Sequence, residues 1–498
     1  MATKGPPRKK VKKNNTITED INNDIIKQEE ILGTVIAQLK SINGEMIGSP
    51  LNLPANVTPE QLELLINQLL SNDEQLPYAF SVDDKEITNT LYKDIIQGLK
   101  KSTEDVLTIV YQPQAIFRVR AVTRCTSTLN GHNDAILSVS FSPDGTQLAT
   151  GSGDTTVRIW DLNTETPHFT CKGHTGWVLY ISWSPNGRLL ASGSMDKTVR
   201  LWVPSTGKPL GDPLKGHTQW ITCLAWEPQH LNSKCNRLAS SSKDGTIRIW
   251  DTTLRKVVMT MSQHTAAVTC IKWGGDGLLY SSSRDKTIKV WDATQGKLVK
   301  TLEGHGHWVN TMALSTDFVL RTGAFDHTGK IPKDENEAQE WALARYKAAI
   351  GNKPERLVSG SDDFTMLFWE PSMSKKSIAR LTGHQKLVNH VSFSPDGHLL
   401  ASASFDNSVK LWDGFTGKFI ASLKGHVCPV YQVCWSSDSR LLISASKDST
   451  LKIWDLKTKK IKLDLPGHLD EVFSVDWSPN GEKVASGGKD RQLKIWRN

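Results

Sequence analysis

The chain of 498 residues is long enough for more than one domain, and its 38% hydrophobic and 22% charged residues are ordinary values for a globular protein. No apolar run is long enough to cross a bilayer, and no apolar stretch follows the basic N-terminus, so we expect neither a membrane protein nor a secretory signal. Of the net charge of +8, six positive charges lie in the first 13 residues, which leaves the rest nearly neutral and excludes a bulk polycation. The seven cysteines form no C-x-x-C pair, which favours reduced thiols in the cytosol or nucleus over disulfides or zinc sites.

Residues 1–30 are expected to form a disordered tail that is first basic and then acidic. The cluster PPRKKVKK is typical of a nuclear import signal, whose basic side chains suit acidic grooves on an import receptor. A solvated tail with incidental charge is the alternative, and the motif does not decide between them. An import receptor is therefore one candidate partner.

Residues 31–115 contain, in order, two strands, a helix, a strand, a short helix and a strand. The main helix has a clear start, because Thr58 can cap it, Pro59 suits the first helical position and Gln61 can close a capping box. Leucines and isoleucine at helical spacing follow between residues 62 and 70. This order predicts a small α+β domain of the ubiquitin-like β-grasp type.

Residues 116–498 contain a unit that recurs eight times, most clearly as GHTGWVLYISWSPNGRLLASGSMDKTVRLW between Gly173 and Trp202. The period is 41–43 residues except where loops have grown. The unit histidines are His132, His174, His217, His264, His305, His384, His426 and His468. The turn aspartates are Asp154, Asp196, Asp244, Asp285, Asp363, Asp406, Asp448 and Asp490, and the closing tryptophans are Trp160, Trp202, Trp250, Trp291, Trp369, Trp412, Trp454 and Trp496. Such a repeat resembles the WD-repeat family, which predicts a mainly β protein with an eight-bladed propeller.

The two ends of this region and one interrupted unit add to the prediction. The last unit ends near Trp496 and lacks an outer strand, which residues 117–128 can supply, so that the ring closes without exposed edges. An insertion at about residues 322–356 contains ENEAQEWALARYKAAI, which reads as a helix carrying Trp341 and Tyr346. A contact with partners is favoured over a merely tolerated surface loop.

The repeated His, Asp and Ser or Thr residues invite a catalytic reading, but a catalytic group of residues should occur once, and these occur in every unit. We expect the aspartate to accept a hydrogen bond from the histidine and the tryptophan indole to join the same structural network. The chain has no P-loop, no H-E-x-x-H and no nucleophile elbow. The sequence therefore predicts no enzyme and no cofactor of its own.

The informative positions are those at which the units differ. Three residues after the histidine stand Trp177, Trp220 and Trp308, at a position that leads into the innermost strand near the narrower opening. The other units carry in this vicinity Ile136, Ala267, Leu387, Pro429 and Glu471. Because the blade does not require an aromatic residue there, the three tryptophans are predicted to bind a partner. The alternative is that they pack among themselves under a loop.

A β-grasp domain followed by an eight-bladed propeller is rare, and the chain resembles the Notchless family of ribosome-assembly factors of the pre-60S particle. The segments that carry the resemblance are ANVTPEQLELLINQLL, LPYAFSV, STEDVLTIVYQPQAIFRVR, GAFDHTGK, SDDFTM and GHQKLVNHVSFSPDG. The resemblance implies a nuclear and nucleolar adaptor whose N-terminal domain docks the AAA-type ATPase midasin. The propeller would hold the particle, its ribosomal proteins and its rRNA, so that ATP-driven movement remodels it during 60S maturation.

The same resemblance assigns a docking residue. The family's docking acid falls in the sequence S-T-E-D, which places it at Glu104, where a carboxylate can fill an open position on a divalent ion held by midasin. Composition alone would make Glu104 a solvated turn residue. The alternative functions are a WD-repeat scaffold in signalling, such as a Notch-pathway regulator, or a substrate receptor of a ubiquitin ligase.

Overall fold

The structure is a computed structural model that describes residues 33–41, 46–70, 77–83, 85–87, 89–97, 106–113, 119–351 and 353–498. The chain divides into two compact units, residues 1–116 and 117–498. None of the helices in the described ranges is long and apolar enough to span a membrane. The basic tail and Glu104 lie outside the described residues.

The N-terminal unit is a five-stranded sheet with one main helix. Its elements are β1 (Thr34–Ser41), β2 (Met46–Pro54), α1 (Pro59–Leu69), β3 (Tyr78–Val82), β4 (Lys85–Glu86), a π-helical turn (Tyr92–Ile96) and β5 (Leu107–Pro113). The sheet order is β2-β1-β5-β3-β4, with β1 parallel to β5 and the other neighbours antiparallel. This is the predicted β-grasp arrangement, with the short strand β4 added to it.

Helix α1 begins as its sequence predicts. The backbone N–H of Gln61 donates to Thr58 Oγ1, and the backbone N–H of Thr58 donates to Gln61 Oε1 at 3.1 Å, which completes the capping box. The helix buries Leu62 and Ile66 against a core that includes Phe80 and other side chains of the sheet. Burial of these apolar side chains holds the helix on the sheet.

The second unit contains eight four-stranded sheets, and β6 (Arg124–Leu129) precedes the first of them. Blades 1 and 2 contain β7 (Ile136–Phe141), β8 (Gln147–Ser152), β9 (Val157–Asp161), β10 (Thr166–Cys171), β11 (Val178–Trp183), β12 (Leu190–Ser194), β13 (Val199–Val203) and β14 (Lys208–Pro209). Blades 3 and 4 contain β15 (Ile221–Trp226), β16 (Arg237–Ser242), β17 (Ile247–Asp251), β18 (Lys256–Met261), β19 (Val268–Trp273), β20 (Leu278–Ser283), β21 (Ile288–Asp292) and β22 (Leu298–Leu302).

Blades 5 and 6 contain β23 (Val309–Leu314), β24 (Leu357–Ser361), β25 (Met366–Trp369), β26 (Ala379–Leu381), β27 (Val388–Phe393), β28 (Leu399–Ser404), β29 (Ser408–Asp413) and β30 (Phe419–Lys424). Blades 7 and 8 contain β31 (Val430–Trp435), β32 (Leu441–Ser446), β33 (Leu451–Asp455), β34 (Lys460–Leu465), β35 (Val472–Trp477), β36 (Val484–Gly488) and β37 (Leu493–Arg497). Each sheet is antiparallel, and its first strand lines the centre of the ring. The eight-bladed propeller predicted from the repeats is confirmed.

The ring closes through the segment that precedes the repeats. Strand β6 pairs with β37 as the outer strand of blade 8, with Ser127 opposite Ile495. On the inner side, the backbone N–H of Phe141 in blade 1 donates to Asp476 Oδ2 in blade 8 at 2.9 Å. The spare strand predicted from residues 117–128 is therefore the closing strand, although its regular part begins at Arg124.

Apolar side chains fill each space between neighbouring blades. The space between blades 1 and 2, for example, is filled by Ile159, Val178 and Trp202 with other buried side chains. Hydrogen bonds also join neighbouring blades: Thr269 Oγ1 in blade 4 donates to the Val309 carbonyl of blade 5 at 2.6 Å. Each blade is thus stabilised mainly by its two neighbours.

The insertion in blade 5 is longer than expected from the sequence. It contains α2 (Asp317–Thr322) and α3 (Glu335–Ile350), and it returns to the sheet at Leu357. Helix α3 matches the helix predicted from ENEAQEWALARYKAAI. The expected start at about residue 322 is wrong, because Asp317 accepts a hydrogen bond from the Leu314 N–H at 3.0 Å and the chain turns helical there.

Candidate interaction face

One hydrogen-bond network lies in each of the eight blades. In blade 2, His174 Nδ1 lies 2.7 Å from Asp196 Oδ2, and His174 Nε2 lies 2.8 Å from Ser192 Oγ, which also accepts from Trp202 Nε1 at 2.8 Å. The other His–Asp distances are 2.8 Å for His132–Asp154, 3.1 Å for His217–Asp244, 2.6 Å for His264–Asp285, 3.0 Å for His305–Asp363, 2.8 Å for His384–Asp406, 2.8 Å for His426–Asp448 and 2.7 Å for His468–Asp490. The other indole–hydroxyl pairs are Trp160–Thr150, Trp250–Ser240, Trp291–Ser281, Trp369–Ser359, Trp412–Ser402, Trp454–Ser444 and Trp496–Ser486.

The network holds a tight hairpin in each blade. Asp196 accepts from the Thr198 N–H at 2.9 Å, and the residue between them, Lys197, has a φ of 70°. A side chain in this left-handed conformation is strained, so the aspartate's hydrogen bonds stabilise a turn that would otherwise open. Burial alone would raise the pKa of Asp196, but hydrogen bonds from His174 and Thr198 together with the backbone hold it well below its ordinary value. The histidine is buried in every copy, so this network stabilises the fold and is not open to a ligand.

The variable position that follows the histidine has the same geometry in all blades. The carbonyl of Trp177 accepts from the Met195 N–H at 2.9 Å, and Trp220 and Trp308 make the corresponding bond in blades 3 and 5. In blade 1 this bond is made by Ala135, and Ile136 is the residue that follows it. Ile136 is buried as the first residue of β7.

The three tryptophans are exposed at one edge of the ring. Their exposed fractions are 50% for Trp177, 38% for Trp220 and 40% for Trp308, which is unusual for so large an apolar side chain. Lys243 Nζ lies 4.4 Å from the centre of the Trp220 ring, and the Arg284 guanidinium lies 4.5 Å from the centre of the Trp308 ring. Both are cation–π contacts. We call the edge that carries these five residues the tryptophan face.

The tryptophans do not pack against one another. They belong to blades 2, 3 and 5, so Trp308 is separated from the other two by blade 4, which has the small Ala267 at this position. No ring contact between them is present among the described residues. Trp177 and Trp220 therefore lie on adjacent blades, and Trp308 extends the surface further around the ring.

A well opens in the centre of the tryptophan face. It has a volume of about 450 Å³ and combines apolar, amide and hydroxyl side chains with one cation and one carboxylate. Its lining residues are Leu179, Thr222, Thr269, Arg284, Trp308, Asn310, Asp362, Leu387, Asn389 and Phe405. Two of the residues at the face, Arg284 and Trp308, thus belong to the mouth of the well.

The insertion closes the opposite end of the central channel. Asp317 on α2 pairs with Lys272 at 2.9 Å, and Arg321 pairs with Asp476 at 2.8 Å. Lys272 and Asp476 are the fifth residues of the innermost strands of blades 4 and 8, which lie across the ring from each other. Helix α2 is therefore a crossbar between opposite blades, held at each end by a pair of opposite charge.

Helix α3 packs on blades 3 and 4 beside this crossbar. The ring of Tyr346 stacks on His230 with 4.5 Å between centres, and Gln339 donates to the His230 carbonyl at 2.9 Å. Arg345 donates to the Gly323 carbonyl at 2.6 Å, while Trp341 is half-buried. Of the two aromatic residues expected along this helix, Tyr346 thus serves packing.

A buried acid anchors the end of the insertion. Glu355 accepts hydrogen bonds from the Thr316 hydroxyl and from the Gly275 N–H, and its other oxygen has no partner among the described atoms. Burial, with the nearby carboxylate of Asp276, raises the pKa of Glu355 to about 8. We therefore expect the side chain to keep its proton well above its ordinary pKa of 4.5.

The described residues contain no group of three or more His, Cys, Asp or Glu side chains arranged to hold a metal ion. Sequence reasoning found the three tryptophans, but it missed Lys243 and Arg284. Each directly precedes a turn aspartate, so comparison of the units at that position would have revealed them.

Each of the two units matches a known protein family. Residues 35–95 match the family model described as the NLE (NUC135) domain. Segments 123–161, 165–203, 207–251, 255–292, 375–413, 417–455 and 459–497 match the WD domain, G-beta repeat. The protein is thus a WD-repeat β-propeller protein with an NLE domain.

Similar proteins identify the family to which the chain belongs. The chain is 61% identical to the Notchless protein homolog of Arabidopsis thaliana over 78% of this chain and 81% of that protein. It is 52% identical to Protein Notchless of Drosophila melanogaster, over 74% and 76% of the two chains. It is 51% identical to Ribosome assembly protein 4 of Saccharomyces cerevisiae, over 83% and 84%. The chain belongs to the Notchless family.

A solved structure supports the propeller fold. The crystal structure of the computationally designed Ika8 protein matches with a TM-score of 0.60 and 26% identity, over 75% of this chain and all of that one. The match covers a length similar to that of the eight blades.

Proposed function

We propose that the protein is a non-enzymatic assembly factor of the pre-60S ribosomal particle that acts in the nucleus and nucleolus. The observation that carries the proposal is similarity to a yeast protein named Ribosome assembly protein 4 over more residues than the propeller contains. The repeated His–Asp pairs are structural, so the tryptophan face is left as the best candidate for contact with other molecules. Exposed tryptophans beside cations are typical anchors of interfaces.

We further propose that the N-terminal domain docks a midasin-type AAA ATPase through Glu104. Glu104 lies just before β5 in the sequence, and a carboxylate there would supply an oxygen ligand to a divalent ion held by the partner. The propeller would remain on the particle while the ATPase pulls on this domain. Family resemblance supports this part of the proposal, together with the β-grasp fold to which β5 belongs.

The first test is affinity purification of the tagged protein from nuclear extract, followed by mass spectrometry. The proposal expects ribosomal proteins of the large subunit, precursor rRNA and a midasin-type ATPase among the captured components. Capture of Notch-pathway or ubiquitin-ligase components without these would favour a signalling scaffold or substrate receptor instead.

The second test isolates the docking residue. Glu104→Ala and Glu104→Asp are expected to lose binding to the ATPase and to keep binding to the particle. The alanine variant lacks the ligand oxygen, and the shorter aspartate holds its carboxylate too far from the ion. Asp105→Asn is the matched control, since it changes the neighbouring acid. Unchanged ATPase capture by both Glu104 variants would refute the assignment.

A further inference from the structure

The charges on the tryptophan face are unevenly distributed. The loops of blades 2 to 4 at this face carry six exposed cations. These are Lys172, Lys197, Lys215, Lys243, Arg284 and Lys286. None of them forms an ion pair within the part of the chain that the structure describes. We call these loops the basic sector.

The acids of the same loops do not neutralise the sector. Asp196, Asp244 and Asp285 in these loops are each engaged by the unit histidine, and one further carboxylate, the exposed Asp212, lies in the same loop as Lys215. The opposite side of the face differs, because Lys447 pairs with Glu471 and Lys489 pairs with Asp470, both at 3.4 Å. Blades 6 to 8 also have exposed cations without an ion pair among the described residues, Lys386, Lys424 and Arg491, so such cations number three there against six in the basic sector.

We propose that the basic sector and the three tryptophans bind single-stranded RNA. This proposal deepens the proposed function and rests on it, because it names the partner at the tryptophan face. The cations would contact phosphates, and the exposed indoles would stack on unpaired bases. Every nucleotide offers both a negative charge and a flat ring, so an RNA strand can use the cations and the tryptophans together.

The geometry favours a single strand over the two other anionic partners. In a duplex the bases are stacked on each other and cannot reach exposed indoles. An acidic peptide would satisfy the lysines, but it would engage the three tryptophans only where apolar or aromatic residues alternate with its carboxylates, whereas every nucleotide supplies both groups. Lys243 and Arg284 each lie over one face of the Trp220 and Trp308 rings, so a base would stack on the other face with its phosphate directed towards the cation.

The test is fluorescence anisotropy of a labelled unstructured 12-nucleotide RNA with the purified full-length protein over a range of salt. We expect wild-type binding that weakens with salt. The double variant K243A/R284A should bind at least 10-fold more weakly, and its salt dependence should be shallower by about 1.4 in log Kd per log salt, for two lost phosphate contacts. The control K447A/K489A removes two paired cations of the same face and should change affinity by less than about 2-fold.

The tryptophans are tested separately from charge. W177A/W220A should lower affinity by at least about 5-fold without changing the salt slope, and W177F/W220F should restore most of it, because phenylalanine also stacks on bases. Melting curves verify that each variant is folded. Polyglutamate should compete poorly with the RNA. If polyglutamate competes as well as unlabelled RNA does, or if W177A/W220A keeps the full affinity for RNA, the proposal is overturned.

Failure of this proposal can be told from failure of the proposed function. Binding of RNA is measured with purified protein, whereas association with pre-60S particles is measured in extract. Wild-type protein that purifies with the particles but binds no single-stranded RNA would refute the RNA site alone. Absence of the particles would refute the proposed function.

Discussion

Arg321 on helix α2 donates from Nη1 to both carboxylate oxygens of Asp476 in blade 8, at 2.8 and 3.0 Å. Asp476 also accepts from the Phe141 N–H of blade 1, so the same carboxylate touches the insertion and the closure of the ring. Burial by itself would lower the pKa of Arg321, but the nearby Asp476 carboxylate outweighs this effect and the pKa is raised. The insertion is therefore a structural part of the propeller.

The first prediction concerns this crossbar. Arg321→Ala removes the partner of a buried carboxylate, so it should lower the free energy of unfolding by about 1–3 kcal/mol. Arg188→Ala is the matched control, because Arg188 pairs with Glu335 at the exposed surface of the same insertion and should cost less than about 1 kcal/mol. Urea unfolding followed by tryptophan fluorescence measures both. Equal effects would show that Arg321 does not link opposite blades.

The second prediction concerns Glu355. Its pKa is about 8 in the folded chain, against an ordinary value of 4.5, so the folded state retains a proton that the unfolded state has lost between these values. Stability should therefore fall as pH rises through this window, by at most about 1.4 kcal/mol per pH unit. Glu355→Gln removes this contribution, and its stability relative to wild type should increase from pH 5 to pH 8.

Unfolding in urea at the two pH values measures the difference. Glu340→Gln on the exposed side of α3 is the control and should show no trend. A difference between Glu355→Gln and wild type that is independent of pH would mean that Glu355 is ionised in the folded protein.

The third prediction concerns the turn aspartates. The pKa of Asp196 is lowered from its ordinary value of 3.8, so its contribution to stability is present above that value and is lost as pH falls towards the folded pKa. Asp196→Asn should destabilise the protein by about 1–3 kcal/mol at pH 7 and by less at pH 3. Thermal melts at both pH values test this, with the exposed Asp212→Asn as the control. A loss that is the same at both pH values would argue against an ionised Asp196 in the folded protein.

The fourth prediction concerns ring closure. A chain that begins at residue 117 retains β6 and should fold as a closed propeller, whereas one that begins at residue 130 leaves β37 as an exposed edge. The shorter chain should melt at lower temperature and aggregate at lower concentration. Light scattering and melting curves compare them, and identical behaviour would show that blade 8 does not need its fourth strand.

Much of the fold could be predicted because the chain repeats itself. His174, Asp196 and Trp202 recur at fixed spacing, and each copy folds by contacts within its own blade and with its neighbours. Helix α1 was also predictable, because Thr58 and Gln61 form a local signal. Helix α2 was not, since its bonds to Lys272 and Asp476 join segments distant in sequence, and local propensity does not encode such contacts.

The candidate site was only partly predictable. Comparison of the repeats singled out Trp177, Trp220 and Trp308 because they depart from the other units. The positions of Lys243 and Arg284 over two of the rings depend on how neighbouring hairpins meet at the edge of the blade. Glu104 rests on family resemblance and remains a prediction.

The central claim is that this protein works on the pre-60S particle through the tryptophan face. The most direct measurement is gradient sedimentation of nuclear extract that contains tagged wild-type protein or W177A/W220A/W308A. The wild type should migrate with particles that contain precursor 60S rRNA, and the folded triple variant should shift towards the light fractions. Wild-type protein found only in the light fractions, or a triple variant that remains fully with the particles, would contradict the claim.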